Sequence, residues 1–218
     1  AMYREFAARY GPGVQILGVP VHSRELFGVL HLKGFIFDDS VLYSGASLND
    51  VYLGRDGRYR LDRYHLFESK ILADCLADFV HATFLNQAAV TPLNDPADAT
   101  VGGSPHDLRA FRRELRTSQY AFEGGPVRSN EVAITPMAGL GAGNRLNETI
   151  LALVKSAQKK LVIYTPYFNL PGELRRVLSR QLAHGREITI VVGDKTANDF
   201  FIPPSEPFKV IGLLPYLY

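Results

Sequence analysis

His31 and Lys33 stand two residues apart, and Asp38, Gly45, Ser47 and Asn49 follow them in the pattern H-x-K-x4-D-x6-G-x-S-x-N. An imidazole nitrogen can attack phosphorus, while an ammonium and a carboxamide can stabilise charge on the phosphoryl oxygens, so the set suits phosphate ester chemistry. Residues 29 to 37 are mostly apolar and aromatic, Asp38, Asp39 and Ser40 are turn formers, and Val41-Leu42-Tyr43 is a second apolar run. That order predicts a β-hairpin. On a strand His31 and Lys33 share one face, and a rise of ~3.3 Å per residue sets them roughly 6.6 Å apart, within reach of one phosphate.

The elements that must position these residues follow from periodicity. Residues 14 to 19 and 29 to 45 read as strands. A helix is expected over 69 to 86, with Ile71, Leu72, Cys75, Leu76, Phe79 and Ala82 at three-to-four spacing. From Thr91 to Pro105 the chain is rich in Pro, Gly, Asn, Asp and Ser, the composition of a linker. Residues 106 to 122 return to helix, with Arg109, Arg112, Arg113 and Arg116 beside Leu108, Phe111 and Leu115.

After a second break at 123 to 130, strands and helices alternate. Val132 to Thr135 reads as a strand, Asn144 as the cap of a helix with Leu146, Ile150, Leu153, Val154 and Ala157 on one stripe, and Leu161 to Tyr164 as a strand. Pro171 suits a first helical turn and Gly185 a helix end, with Leu174, Val177, Leu178 and Leu182 facing the sheet; Ile188 to Val192 closes the series. Strands alternating with helices predict an α/β fold with a mostly parallel sheet. Loops at the carboxyl ends of such strands bind ligands, which selects Tyr167, Phe168 and Asn169 as pocket walls and Asp194, Lys195, Asn198 and Asp199 as polar contacts.

Composition fits a folded chain: 218 residues, 46% hydrophobic, 21% charged, with a net charge of +2. The length suffices for a substantial core of one or two domains. No apolar run approaches the ~20 residues of a membrane-spanning helix, so membrane contact is expected to be peripheral. The single cysteine, Cys75, excludes an intrachain disulfide, suits a reducing cytoplasm and sits in a helical pattern where buried packing is its expected role. The arginines of the 106 to 122 helix are a candidate contact with an anionic lipid surface, diluted by Asp107 and Glu114.

The full motif resembles that of the phospholipase D superfamily. Gly18-Val19-Pro20, Gly34 to Leu53, Asp62-Arg63-Tyr64-His65, Thr165 to Pro171, Gly193 to Phe200 and Pro215 to Tyr218 narrow the resemblance to the phosphatidylserine synthases of Gram-negative bacteria. It implies phospholipase D-like lobes, each a mixed, mostly parallel sheet flanked by helices. The expected organisation is the C-terminal part of a first lobe over 1–90, a linker and connecting helix over 91–130, and the N-terminal part of a second lobe over 131–218.

The activity implied is transfer of the phosphatidyl group of CDP-diacylglycerol to L-serine through a phosphatidyl-histidine, releasing CMP. His31 would be the nucleophile, Lys33 and Asn49 would stabilise charge, Asp38 would orient its surroundings, and Gly45 and Ser47 would support them. No metal or other cofactor is implied, since lysine supplies the positive charge. The superfamily normally builds its site from two such motifs and pairs each histidine with a carboxylate outside the motif; Asp62, Glu68 and Glu131 are all candidates for the partner of His31. None of the other histidines, His22, His65, His81, His106 and His184, is followed two residues later by lysine. The chain is therefore expected to be an internal fragment, inactive alone unless a homo-oligomer pairs two copies of His31. The expected setting is the cytoplasmic face of the inner membrane, held peripherally by an anionic lipid surface and without a nucleic-acid partner. A phospholipase D-type hydrolase and a catalytically incomplete lipid-binding module are the alternatives.

Overall fold

The computed structural model describes residues 2–20, 31–55, 57, 60–93, 103–139, 143–194, 202, 205 and 207. The chain divides into two compact units, Ala1–Ala142 and Gly143–Tyr218.

The first unit opens with α1 (Met2–Tyr10) and β1 (Leu17–Gly18). A three-stranded antiparallel sheet follows, β2 (Phe35–Phe37), β3 (Ser40–Ser44) and β4 (Tyr64–Glu68), in the order β2-β3-β4. The predicted hairpin is present but its first strand is short: Phe35 pairs with Leu42 and Phe37 with Ser40, whereas His31 to Gly34 precede the ladder in irregular backbone. The turn is Asp38-Asp39. Asp38 adopts φ +51°, a left-handed conformation that the short polar side chains of Asp and Asn tolerate better than most.

Helix α2 (Lys70–Val80) starts where β4 ends, because the Ser69 side chain accepts a hydrogen bond from the Leu72 amide (3.3 Å). The Ser69 amide donates to the Asp39 carbonyl (2.9 Å), which ties the hairpin turn to the start of the helix. Ala73, Cys75 and Phe79 are buried along α2, and Val41 is fully buried on β3. The helix then widens into a π-turn at His81–Leu85. The extra residue rotates the buried face, so Thr83 and Phe84 turn inward and Ala82, expected inside, is exposed. Ile71 is exposed as well.

The start of the segment read as a linker pairs with β1, and the expected helix that follows it joins this unit's core. β5 (Thr91–Pro92) pairs antiparallel with β1, and the Leu93 side chain packs over Gly18, its Cδ2 2.8 Å from where a Cβ would stand. Helix α3 (Pro105–Thr117) carries a capping box between Ser104 and Asp107 and buries Phe111 completely. Phe111 meets Phe84 edge-on at 6.4 Å, Tyr120 stacks on Phe79 at 4.1 Å, and Ala138 completes the cluster. Burying one such phenyl ring is worth ~1.5–3 kcal/mol. The strand expected over Val132 to Thr135 does not form. Val132 is 84% exposed and the run has no partner among the described strands, so its β propensity has no ladder to satisfy.

The second unit is built from α4 (Arg145–Ser156), β6 (Lys160–Thr165), α5 (Gly172–Ala183) and β7 (Glu187–Val192). The Asn144 side chain accepts from the Asn147 amide at 2.9 Å, the expected cap of α4. β6 and β7 are parallel and in register from Lys160 with Glu187 to Thr165 with Val192. The parallel expectation thus holds here, while the described ladders of the first unit are antiparallel, which the two-residue turn requires of β2 and β3. Val154, Val177 and Leu178 form the core with Leu161, Ile163, Leu174 and Ile188 around them. Leu153 and Leu182, expected inside, are exposed. Gln181 takes the buried position instead: its Nε2 donates to the carbonyls of Val154 (2.6 Å) and Lys155 (2.8 Å), capping the end of α4.

Candidate active site

The chain before Phe35 and the chain after Ser44 leave the antiparallel sheet at the same end, opposite the Asp38-Asp39 turn, and Asp62 and Arg63 lead into β4 at that end too. The sheet register therefore sends the segments that carry His31 and Lys33, Gly45 to Asn49, and Asp62 off one end of the sheet and leaves Asp38 at the other.

The strand spacing expected of His31 and Lys33 does not apply, because neither lies on a strand. Their side chains converge instead: the Lys33 Nζ donates to His31 Nε2 at 2.9 Å. An ammonium only donates, so Nε2 is the acceptor and the ring hydrogen sits on Nδ1. His31 is exposed and Lys33 half-buried, which opens the imidazole to a reactant while the lysine stem stays anchored.

Backbone geometry positions the rest. The buried Ser44 Oγ accepts from the Ala46 amide (3.0 Å) and shapes the turn out of β3. Gly45 lies against Asp62, where a Cβ would stand 3.3 Å from Oδ2 and 3.6 Å from Oδ1; the Arg63 amide donates to that same Oδ1 at 2.6 Å. Half-buried Ser47 accepts through its carbonyl from the Asn49 amide (3.0 Å). Asn49 is exposed, and its Oδ1 accepts from the Tyr52 amide (3.2 Å) while its own carbonyl accepts from Leu53 (3.0 Å). With Oδ1 bound to that turn, the polarity of the side chain is fixed and Nδ2 is its donor end.

Of the three candidate carboxylates, Asp62 lies at this end of the sheet, beside Gly45. Glu68 pairs across the sheet with Ser40 beside the Asp38-Asp39 turn, and Glu131 accepts from the Arg128 amide at 3.0 Å. The signal that could have singled out Asp62 is its place just ahead of the strand that pairs with β3, a register only the ladder reveals.

In the second unit, Tyr167, Phe168 and Asn169 follow β6, and Asp194 follows β7, both at the carboxyl end of the parallel pair. Thr165 Oγ1 donates to the Tyr167 carbonyl (2.9 Å) and fixes the start of that loop. Phe168 is 62% exposed. Lys195, Asn198 and Asp199 lie outside the described residues.

A mixed α/β chain that sets a histidine and a lysine side by side at the edge of a motif-bearing hairpin has the form expected of the phospholipase D class. No protein-family model matches the chain. It is 49% identical over 213 residues to the CDP-diacylglycerol–serine O-phosphatidyltransferase of Escherichia coli K12, covering 97% of this chain and 47% of that protein. The enzyme of the same name from Haemophilus influenzae is 47% identical over 206 residues, covering 92% of this chain and 45% of that one. The crystal structure of phosphatidylserine synthase from Haemophilus influenzae Rd KW20 superposes with a TM-score of 0.81 at 41% identity, covering all of this chain and 49% of that chain. The chain spans about half the length of the curated relatives it matches. It is a homologue of that half of the Gram-negative phosphatidylserine synthases.

Proposed function

We propose that the protein containing this chain transfers the phosphatidyl group of CDP-diacylglycerol to L-serine, giving phosphatidylserine and CMP. The observation that carries this reading is the 2.9 Å contact between His31 and Lys33 inside the motif, in a chain 49% identical to an enzyme of that name.

His31 Nε2 holds the lone pair that attacks the phosphorus bonded to diacylglycerol; a P–N bond forms and the P–O bond to CMP breaks. The serine hydroxyl oxygen then attacks the same phosphorus, the P–N bond breaks, and the hydroxyl proton leaves to a base. Two displacements replace one difficult one. Lys33 moves from Nε2 to a phosphoryl oxygen as the nucleophile engages, and the Asn49 Nδ2 donates to another, so charge is met where it develops. Asp62 holds the edge of the site against Gly45 and is the carboxylate best placed to orient it. Protonation of CMP and deprotonation of serine fall to a second histidine-lysine motif in the rest of the protein. Tyr167, Phe168, Asn169, Asp194, Lys195 and Asn198 contact substrate in this reading, with the last two assigned from sequence alone.

No described helix is long and apolar enough to cross a membrane. Because the lipid donor lives in a bilayer, the protein works at an anionic membrane surface, bound peripherally on its cytoplasmic side. Release of labelled CMP from CDP-diacylglycerol by the whole protein, measured with and without serine, tests the reading. Serine-dependent release with labelled phosphatidylserine as product is expected; equal release into water would make the protein a hydrolase.

A further inference from the structure

We propose that the outer face of α5 is the surface by which the protein meets an anionic bilayer, its arginines taking lipid phosphates. The inference rests on the peripheral association proposed above and gives it a location. Gly172, Arg175, Arg176, Ser179 and Arg180 line an open groove of about 470 Å³. Arg175 and Arg176 turn their guanidinium groups back over the first turn of the helix, to 3.7 and 3.8 Å from the point where a Cβ on Gly172 would stand.

That end of a helix already carries positive partial charge, so cations are unfavourably placed there. Arg176 and Arg180, four residues apart, are like charges on one face and add to the cost. The ion pairs formed between described residues include none of the three. Among the described residues, therefore, the groove concentrates positive charge that no ion pair neutralises, and guanidinium groups bind phosphate oxygens in a bidentate fashion.

The surroundings favour a lipid surface over a small soluble anion. The lining side chains are arginines and a serine, with no aromatic or aliphatic residue to hold a base or sugar, whereas exposed apolar side chains stand near the arginines in sequence: Phe168, four residues before α5, is 62% exposed, and Leu182, seven residues from Arg175 and on the same helical stripe, is 57% exposed. Arginine with protruding Phe and Leu is the pattern of helices that lie at an interface. Buried Val177, Leu178 and Gln181 hold the opposite face to the unit's core. The arginines of α3 make a weaker case. Arg116 stands in the last turn, where a cation is favourable, Glu114 is exposed among them, and Arg112 is half-buried.

Sedimentation of the full protein with phosphatidylcholine vesicles, with and without phosphatidylglycerol, tests this. Each basic residue close to an anionic surface contributes roughly fivefold to partitioning, so Arg175→Gln, Arg176→Gln and Arg180→Gln together should weaken binding to the anionic vesicles about 100-fold. Turnover on detergent-dispersed CDP-diacylglycerol should be unchanged. The corresponding triple Arg→Lys protein should keep most of the binding, and Arg109→Gln with Arg113→Gln and Arg116→Gln should leave it near wild type. Wild-type partitioning by the α5 glutamine variant, or equal loss in the lysine variant, would overturn the proposal. So would a matching fall in turnover on dispersed substrate, which would assign the groove to the substrate's own diphosphate. A protein that binds vesicles through these arginines yet releases no CMP would support the groove and sink the transferase reading, so the two failures are distinct.

Discussion

The Lys33 ammonium stands 2.9 Å from Nε2 of His31, the nitrogen proposed above to attack phosphorus. In that proposal the contact selects the reactive tautomer before substrate arrives and places the charge-neutralising group beside the attacking atom. His31→Ala in the full protein should abolish both serine incorporation and CMP release. Lys33→Ala should lower kcat by about 10²- to 10³-fold, the cost of losing one preorganised donor, with a smaller change in KM. Steady-state CMP release checks both, and a Lys33→Ala protein altered only in KM would contradict the assignment.

Gly45 and Asp62 should behave as a coupled pair. A methyl group at Gly45 would come 3.3 Å from the Asp62 carboxylate, which must then shift by a few tenths of an ångström. Gly45→Ala and Asp62→Asn should each reduce kcat while leaving the folded state intact by circular dichroism, and the double variant should be no worse than the poorer single one. Additive losses would show that the two residues act independently.

Asp38 has a conformational explanation that catalysis does not need. It sits at φ +51° in a two-residue turn, with the length of the hairpin between it and the edge that holds His31. Asp38→Gly should keep most of the activity, whereas Asp38→Ala should destabilise the protein by about 1 kcal/mol through the same backbone angle. Urea denaturation and CMP release together separate the roles; a stable but inactive Asp38→Gly protein would restore Asp38 to the chemistry.

Stability should fall at alkaline pH. Burial pushes the Cys75 thiol up, with Asp78 adding to it, and burial followed by Tyr43 and Cys75 pushes Tyr120 up. Both groups are held neutral in the fold, so the unfolded chain ionises first. Their contribution is complete below the unfolded values of ~8.5 and ~10 and is lost as pH rises through them toward the folded values. Urea midpoints measured from neutral into alkaline pH should decline, less steeply in Cys75→Ala and Tyr120→Phe. The Cys75 thiol should also react with alkylating reagents much faster in urea than in the native protein.

Much of this was written in the linear order of residues. The motif around His31, the hairpin turn at Asp38-Asp39, the Asn144 cap and the alternation of β6, α5 and β7 are local signals, set by residues a few positions apart. Helix faces were legible only in part. The π-turn at His81–Leu85 rotated Phe84 inward and Ala82 outward, and Gln181 displaced Leu182 from the core because the carbonyls ending α4 needed a donor. Val132 to Thr135 had strand composition but no partner strand, and the Pro- and Gly-rich run near Thr91 had loop composition yet found a partner in β1. The sequence by itself determined which groups could do phosphoryl chemistry, because reactivity belongs to residue type. Only the tertiary structure decided that His31 and Lys33 touch off the strand, that Asp62 rather than Glu68 or Glu131 lies beside Gly45, and that Asp38 stands apart, because contacts between distant residues depend on strand register and packing, which no local pattern encodes.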